Sequence, residues 1–385
     1  MSLSDINLEF LSIVSRIIVA LPFVFLIFGT IKLMIRNHHS KRSPDLGTIN
    51  ENPINFILLI GCYTFLLFIS QIKLTYLYDG SLRQNVNILV VSICIALGIT
   101  FLVSQIFKRV KSLQIHYLPL IGNSQKPALS TQKKQLLDRL RKANHLIAFA
   151  IALSGIFIGV LTVYVLVRYY TNHPEYDYFV EKLMNFWKRN DDTTFLENIF
   201  NQEIFATSRT ICAITFGGLM VVLATIDYTR LSQKWFFPFQ AIVNKQLHWE
   251  EKKAIGSYVY LTAGLAVSSV LLSTMFFLAV TSVVSFGDSA ASIIGMKFGK
   301  RPYKHNNKTI EGTIAGVITS CLLVFFLIGP YYAVVAGILF GVIDIISPNP
   351  IKLNDNLILS LVLTGVFIVL YSIGIPSITI LEYFV

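Results

Sequence analysis

Residues 256–285 read GSYVYLTAGLAVSSVLLSTMFFLAVTSVVS, a stretch without one charged side chain. A helix needs about 20 apolar residues to cross a bilayer, so this stretch is too long for one upright span and just long enough for two short ones. We expect a helical hairpin that turns near Ser273 and Thr274. The stretch therefore predicts a protein built from membrane-spanning helices.

The composition of the whole chain supports that prediction. Of its 385 residues, 54% are hydrophobic and 14% are charged, whereas soluble globular proteins contain about 25% charged residues. The mean hydropathy is +0.64. A water-soluble multidomain enzyme is thereby excluded. The net charge of +11 would suggest nucleic acid in a soluble protein. Here we place the excess in loops and predict neither a nucleic-acid partner nor a protein partner.

The apolar runs along the chain predict an all-α, polytopic transmembrane protein with about 10 spans. The predicted spans are residues 11–34, 54–72, 86–107, 146–167, 208–226, two within 256–285, and then 313–328, 331–346 and 356–375. The first is expected to be retained rather than cleaved. All four cysteines lie within these runs without a CxxC spacing, so neither a disulfide framework nor a zinc site is predicted.

The charges of the loops predict the orientation of the chain in the membrane, because Lys and Arg concentrate on the cytosolic side. Residues 108–145 contain nine Lys and Arg and a single acid, and are predicted to be cytosolic. The acidic loop 168–209 fits the opposite side. Loops 227–254 and 286–312 are both basic, and both are cytosolic only if residues 256–285 form a hairpin. We expect both termini to face the lumen or exterior.

The chain is predicted to have two parts. Residues 1–130 form an accessory transmembrane block with a basic cytosolic linker, and residues 131–385 form the catalytic transmembrane domain.

The densest group of charged and small residues lies in residues 286–313. It contains five Lys and Arg with Asp288 and Glu311, interleaved with Gly and Ser. Glycines allow close approach of backbone to phosphate, cations offset its charge, and a carboxylate holds a divalent metal. The alternative is that the small residues pack helices and the basic residues only set topology. A Walker A loop is excluded because the spacing and the Ser or Thr after Lys300 are missing.

Residues 287–300 (GDSAASIIGMKFGK) and 307–313 (NKTIEGT) resemble the signature of the CTP-dependent lipid kinases. That group comprises dolichol and polyprenol kinases, phytol kinases and CTP-dependent diacylglycerol kinases, and is related more distantly to phosphatidate cytidylyltransferase. Four other segments also resemble family elements, in the same order: RKANH at 141–145, DYTR at 227–230, EEKK at 250–253 and NDN at 354–356. The resemblance covers about residues 130–385.

The resemblance implies a site on the cytosolic side that uses CTP and Mg²⁺ or another divalent cation. The implied catalytic residues are Asp288, Glu311 and Asp355, with Asp288 and Asp355 as metal ligands. The implied nucleotide-binding residues are Gly287, Lys297, Gly299, Lys304, Lys308, Gly312, Arg141 and Lys142, and the further candidates are His145, Asp227, Arg230 and Asn356. Structural alternatives are a helix cap for Asp355, an interfacial hydrogen bond for His145 and a snorkelling anchor for Arg230.

The implied activity is phosphorylation of dolichol or a polyprenol to its monophosphate, which supplies a lipid carrier for glycosylation. The sequence Glu311-Gly312 favours that acceptor over diacylglycerol or phytol, which remain alternatives. A cytidylyltransferase is disfavoured because its HGG and DRxD elements are absent. A transporter is disfavoured because the motifs are predicted in loops at cytosolic span ends. The location is expected to be the endoplasmic reticulum membrane in a eukaryote or the plasma membrane in a prokaryote.

Overall fold

The computed structural model describes residues 20–35, 52–71, 131–171, 202–232, 254–304, 308–347 and 353–377. Within these ranges all regular secondary structure is helical, apart from one isolated β-bridge between Pro302 and Thr309. The predicted all-α class is confirmed for this part of the chain.

Ten helices are assigned in the described ranges. They are α1 (Ala20–Ile35), α2 (Pro53–Gln71), α3 (Thr131–Thr171), α4 (Gln202–Ser232), α5 (Ser257–Leu271), α6 (Thr274–Ser282), α7 (Asp288–Phe298), α8 (Ile310–Ile328), α9 (Pro330–Ile346) and α10 (Asp355–Ser372). A π-helical turn, Val283–Gly287, joins α6 to α7 without a break.

Five segments of these helices are long and apolar enough to cross a membrane: Lys142–Thr162, Ser208–Tyr228, Thr274–Phe298, Ile310–Ile328 and Asp355–Ser372. Four shorter apolar helices accompany them: Ala20–Ile35, Pro53–Phe68, Ser257–Leu271 and Pro330–Ile346. A multi-pass helical membrane protein is thereby supported. The predicted total of about 10 spans is not confirmed, and the predicted span 86–107 lies outside the described residues.

The apolar stretch 256–285 is interrupted at the position where the sequence predicted a turn. Helix α5 ends at Leu271, Leu272 and Ser273 interrupt the helix, and α6 begins at Thr274. The second arm does not stop at Ser285, however, but continues through the π turn to Phe298.

The prediction that residues 286–312 form a loop is therefore wrong for residues 286–298 and 310–312, which are helical. The cytosolic location of this segment stays a prediction. Residues 288–298 are helical because the small and apolar side chains after Asp288 sustain the helix, which ends at Gly299. Between α7 and α8 the structure describes residues 299–304 and 308–309. The basic segment 108–145 and the acidic segment 168–209 are likewise helical at their C-terminal ends, where α3 and α4 begin at Thr131 and Gln202.

Contacts divide the chain into two compact units. The first comprises Met1–Arg141, Phe216–Val267 and Ile351–Leu357, and the second comprises Lys142–Thr215, Ser268–Pro350 and Ile358–Val385. The functional division predicted at residue 130 stays a prediction.

An aromatic cluster fills part of the core of the second unit. The ring of Phe276 on α6 meets Tyr332, Phe367 and Tyr371 edge to face, with centroids 5.0, 5.9 and 5.9 Å apart. The hydroxyl of Tyr332 donates a hydrogen bond to the carbonyl of Ile375 at 2.9 Å. Edge-to-face pairs add to the apolar burial of such rings, so the cluster ties α6 to α9 and α10.

In the first unit, helices α1 and α2 contact segments that come much later in the chain. Thr30 on α1 hydrogen-bonds the Tyr228 hydroxyl, and both residues are buried. Asn55 on α2 is also buried, and its Oδ1 accepts the backbone N–H of Asn354 at 3.0 Å. Helix α2 therefore contacts the segment from which α10 begins, and α1 contacts α4.

Candidate functional site

A buried ion pair joins two of the predicted motifs in the second unit. Asp288, the first residue of α7, contacts the ammonium group of Lys142 on α3. The exposed fractions of the two side chains are 14% and 9%. The pair brings the RKANH and GDSAA elements together.

His145 is the second α3 residue at this carboxylate. It follows Lys142 by three positions, so both side chains project from one face of the helix. Its Nδ1 lies 3.2 Å from Asp288 Oδ2 and 3.3 Å from the carbonyl oxygen of Val284. Both neighbours are acceptors, so Nδ1 carries the proton and donates it. His145 thus makes a buried hydrogen bond, and Asp288 is one of its acceptors. Its role in catalysis or at the membrane interface stays a prediction.

The π turn lies directly beside this cluster. It comprises Val283–Gly287 and includes the carbonyl that His145 contacts. π-Helical turns in α-helices are rare and occur frequently at functional sites. The turn marks the start of α7 as a specialised segment rather than an ordinary length of transmembrane helix.

A second buried carboxylate, Asp344, completes the charged cluster and was missed from the sequence. It lies near the end of α9 with 7% of its side chain exposed, and its Oδ1 contacts Lys308 Nζ at 2.8 Å. Its Oδ2 accepts the hydroxyl of Thr313 at 2.5 Å. Lys308 also lies within electrostatic reach of Asp288. An acid inside a predicted span is expensive and is a functional candidate by default, which was the available signal.

Glu311 fastens the loop that carries Lys308. Its Oε2 accepts the backbone N–H groups of Lys300 and Arg301 at 3.2 Å, and its Oε1 accepts Arg301 Nε at 3.0 Å. The loop is also closed by a hydrogen bond from Ile310 N to Arg301 O. These contacts give Glu311 a structural role, because they hold Lys300 and Arg301 against the start of α8.

The predicted nucleotide-binding glycines take part in helix packing. A Cβ on Gly312 would lie 2.5 Å from the carbonyl oxygen of Ala291 and 3.1 Å from Gly295 Cα. A Cβ on Gly287 would lie 2.5 Å from Ser320 Oγ, and one on Gly299 would overlap Gly295 and Thr309. The packing alternative is supported at these positions, because glycine lets α7 approach α8 closely.

The other predicted basic residues are placed differently. Lys297 lies with its Nζ 5.1 Å from the centroid of the Phe298 ring, and Lys297 and Lys304 are both exposed. Among the described residues, no hydrogen bond or ion pair joins either of them to Asp288. Arg141 precedes Lys142 on α3.

Asp227 and Arg230 form a separate buried network in the first unit. Asp227 Oδ1 accepts Arg230 Nε at 2.9 Å and also the hydroxyl of Tyr258, and Oδ2 accepts Gly256 N at 2.6 Å. Arg230 Nη2 donates to the Ala254 carbonyl at 2.6 Å. With 4% of its surface exposed, Arg230 does not snorkel. The network fixes the start of α5.

The NDN element forms the start of α10. Asn354 Oδ1 accepts the backbone N–H of Leu357 at 3.4 Å, so the cap belongs to Asn354 rather than to Asp355. Asp355 Oδ1 accepts the N–H of Asn356 at 3.1 Å. This element belongs to the first unit, whereas Asp288 and Glu311 belong to the second. The single composite site of the sequence analysis stays a prediction.

The donor set at Asp288 suits a metal ion that arrives with phosphates. Among the described residues, no group of three His, Cys, Asp or Glu side chains is arranged to hold a metal. Both contacts of Asp288 use Oδ2, and no described residue donates to Oδ1. Mg²⁺ is commonly bound by one or two carboxylates together with substrate phosphates and water, so the residues present fit that arrangement.

Comparison with known proteins gives partial similarity. No family model matches the chain, and no solved structure matches it. The chain is 29% identical to an uncharacterised protein of Methanocaldococcus jannaschii over 149 residues, which is 38% of this chain and 74% of that protein. It is 29% identical to dolichol kinase of Saccharomyces cerevisiae over 121 residues, which is 30% of this chain and 22% of that enzyme.

Proposed function

We propose that this protein transfers the γ-phosphoryl group of CTP to a polyisoprenoid alcohol in the membrane, dolichol or a shorter polyprenol. The partial similarity to dolichol kinase supports a kinase-type transferase. The observation that carries the proposal is the buried cluster of Lys142, Asp288 and Lys308, since it draws charged residues from three elements that resemble the lipid kinase signature.

The residues of the cluster suit phosphoryl transfer. This chemistry depends on positioning and charge neutralisation more than on covalent catalysis. Lys142 and Lys308 supply positive charge for the triphosphate, and Asp288 supplies a carboxylate for Mg²⁺. When bound, a Mg²⁺ held by Asp288 would offset the negative charge that develops on the phosphate oxygens. The lipid hydroxyl oxygen forms the new bond to the γ-phosphorus, its proton passes to a carboxylate, and CDP leaves.

Positioning of Lys142 depends on His145 and the π turn. His145 donates to the Val284 carbonyl and to Asp288, so it holds the carboxylate against α3. Lys308 is held in turn by the loop that Glu311 closes. These contacts orient the charged groups before substrate binds, which reduces the reorganisation needed during transfer.

The remaining assignments extend the same proposal. We propose that the site faces the cytosol, where CTP is available, and that the alcohol reaches it from the bilayer. Dolichol or a polyprenol is favoured as acceptor by Glu311-Gly312 and by the similarity to dolichol kinase. In a eukaryote the product would serve as a glycosylation carrier at the endoplasmic reticulum.

A transfer assay tests the proposal. Membranes containing the protein receive γ-labelled CTP or ATP with dolichol, a shorter polyprenol, phytol or diacylglycerol, and labelled lipid monophosphate is measured. We expect label from CTP in the polyprenyl lipids. Label in diacylglycerol or phytol would change the acceptor. No label with any alcohol, together with pyrophosphate release from CTP and phosphatidate, would replace the kinase with a cytidylyltransferase.

A further inference from the structure

The two lysines of the cluster are both engaged with carboxylates of the protein. Lys142 contacts Asp288 and Lys308 contacts Asp344, and the exposed fractions of these four side chains are between 7% and 25%. Two positive and two negative formal charges therefore cancel within the cluster. The arrangement suits a membrane segment, where an uncompensated charge is expensive.

This balance creates a problem for a site that must accept a triphosphate. The lysine charges that would attract phosphate oxygens are offset by neighbouring carboxylates, and those carboxylates would themselves repel the nucleotide. A divalent cation alone meets the reverse problem, since the carboxylates it would bind are next to ammonium groups. Nucleotide alone or cation alone therefore binds weakly. When both are present, the phosphates can pair with the two lysines and the cation can pair with the two carboxylates.

We propose that Asp288 and Asp344 stand in for phosphate groups before substrate binds, and that the cluster exchanges partners when nucleotide and divalent cation arrive together. Lys142 and Lys308 then turn from carboxylate to phosphate, and the two carboxylates turn to the cation. Asp344 thereby acquires a role in ligand binding that none of the sequence motifs described above assigns to it. The inference rests on the proposed function, because it concerns the same site.

Exchange of this kind makes nucleotide and cation binding strongly cooperative. The coupling free energy is reciprocal, so the cation must strengthen nucleotide binding by the same factor as nucleotide strengthens cation binding. The carboxylates also keep the nucleotide from binding tightly without its metal. Removing one carboxylate charge should therefore improve metal-free nucleotide binding, whereas damage to an ordinary structural contact would weaken it.

The geometry of Asp344 permits a clean substitution. Its Oδ1 takes Lys308 and its Oδ2 takes the Thr313 hydroxyl. Asparagine has the same shape and retains an oxygen that can accept from Thr313, but it lacks the negative charge that engages Lys308. Asp344→Asn thus removes the proposed competitor of the phosphates and preserves the hydrogen bond to α8.

The experiment measures equilibrium binding of CTP to the full-length protein in nanodiscs, with EDTA and with saturating Mg²⁺. For Asp344→Asn we expect metal-free CTP to bind about fivefold more tightly and the strengthening by Mg²⁺ to shrink. Lys308→Met should weaken metal-free binding, and Asp344→Asn should have no effect in the Lys308→Met background. Asp288→Asn is the second variant and should give the same increase through Lys142.

The matched control is Asp191→Asn, which removes one acidic charge from the loop predicted on the opposite side and should leave metal-free binding unchanged. The exchange is overturned if the wild type transfers phosphate but neither Asp344→Asn nor Asp288→Asn binds metal-free CTP more tightly. It is also overturned if the Asp191→Asn control shows an equal increase. A wild-type protein that neither binds nucleotide nor transfers phosphate contradicts the proposed function itself, so the two failures are distinguishable.

Discussion

Among single residues, Asp288 has the contacts on which the proposed chemistry depends. It lies largely buried at the start of α7, it faces Lys142 and His145, and Lys308 is within electrostatic reach. A carboxylate in a membrane segment is retained only where it is paired or functional. We therefore expect its removal to affect turnover far more than insertion of the protein into the membrane.

Replacing Asp288 with alanine tests that expectation. The variant should lose at least about 100-fold in CTP-dependent phosphorylation, since it removes the carboxylate proposed to hold Mg²⁺ at the transferring phosphate. Label in the lipid product gives the rate, and detergent-solubilised size exclusion shows whether the protein is folded. Ser372→Ala, which removes only a hydroxyl bonded within α10, is the control. Turnover close to normal in Asp288→Ala would exclude Asp288 from the mechanism.

Asp227 is a second buried acid, but its contacts give it a structural role. Asp227→Ala leaves the guanidinium of Arg230 buried without its carboxylate, and we expect the free energy of unfolding to fall by about 3–5 kcal/mol. Thermal or denaturant unfolding in detergent measures the loss. The double variant Asp227→Leu/Arg230→Met should recover part of it, because an apolar pair carries no desolvation penalty. A double variant less stable than Asp227→Ala would contradict this account.

Among elements, the contact of α7 with α8 depends on glycines rather than on large side chains. Gly312→Ala should lower stability by about 1–3 kcal/mol, because the added methyl group meets the backbone carbonyl of Ala291 and the helices must separate. Gly365→Ala on α10 is the matched control, since nothing lies within 4 Å of its added Cβ. Unfolding curves of the two variants measure the difference, and equal stabilities would show that the close approach is unimportant.

The sequence predicted the helices well where the length of an apolar run set their bounds. The break at Leu272 and Ser273 followed from a stretch too long for one span, and α8, α9 and α10 began within three residues of the expected starts. Helix α7 was missed because Asp288 and Lys297 made its segment look like a loop, whereas pairing of Asp288 with Lys142 allows that charge inside a helix. Asp344 was missed because its partners, Lys308 and Thr313, are distant in sequence and no motif marks it.

For the whole molecule, the orientation in the membrane is the property that most constrains function. The predicted topology puts the segment 286–312, and with it Asp288 and Lys308, on the cytosolic side, opposite the acidic loop 168–209. The preference of Lys and Arg for the cytosolic side is the basis of this prediction. Access of CTP to the cluster depends on it.

Cysteine labelling tests the orientation. Lys304→Cys places a thiol in an exposed loop position, in a background with the four native cysteines replaced by alanine. If the protein lies in the plasma membrane, a membrane-impermeant maleimide should react with Lys304→Cys in intact cells only after permeabilisation, whereas Asp191→Cys should react from the exterior without permeabilisation. In organelle-derived vesicles with the cytosolic face outward the order reverses. Labelling of both positions from the same side would contradict the predicted topology.

The π turn between α6 and α7 sets the angular phase of the helix that carries the site. One residue added to a helical turn rotates everything after it by about 100° relative to an uninterrupted α-helix. The aromatic face of α6 around Phe276 and the charged start of α7 at Asp288 can therefore contact different neighbouring helices, although both lie on one continuous helix. The number of residues between these two positions is consequently as much a part of the site as their identities.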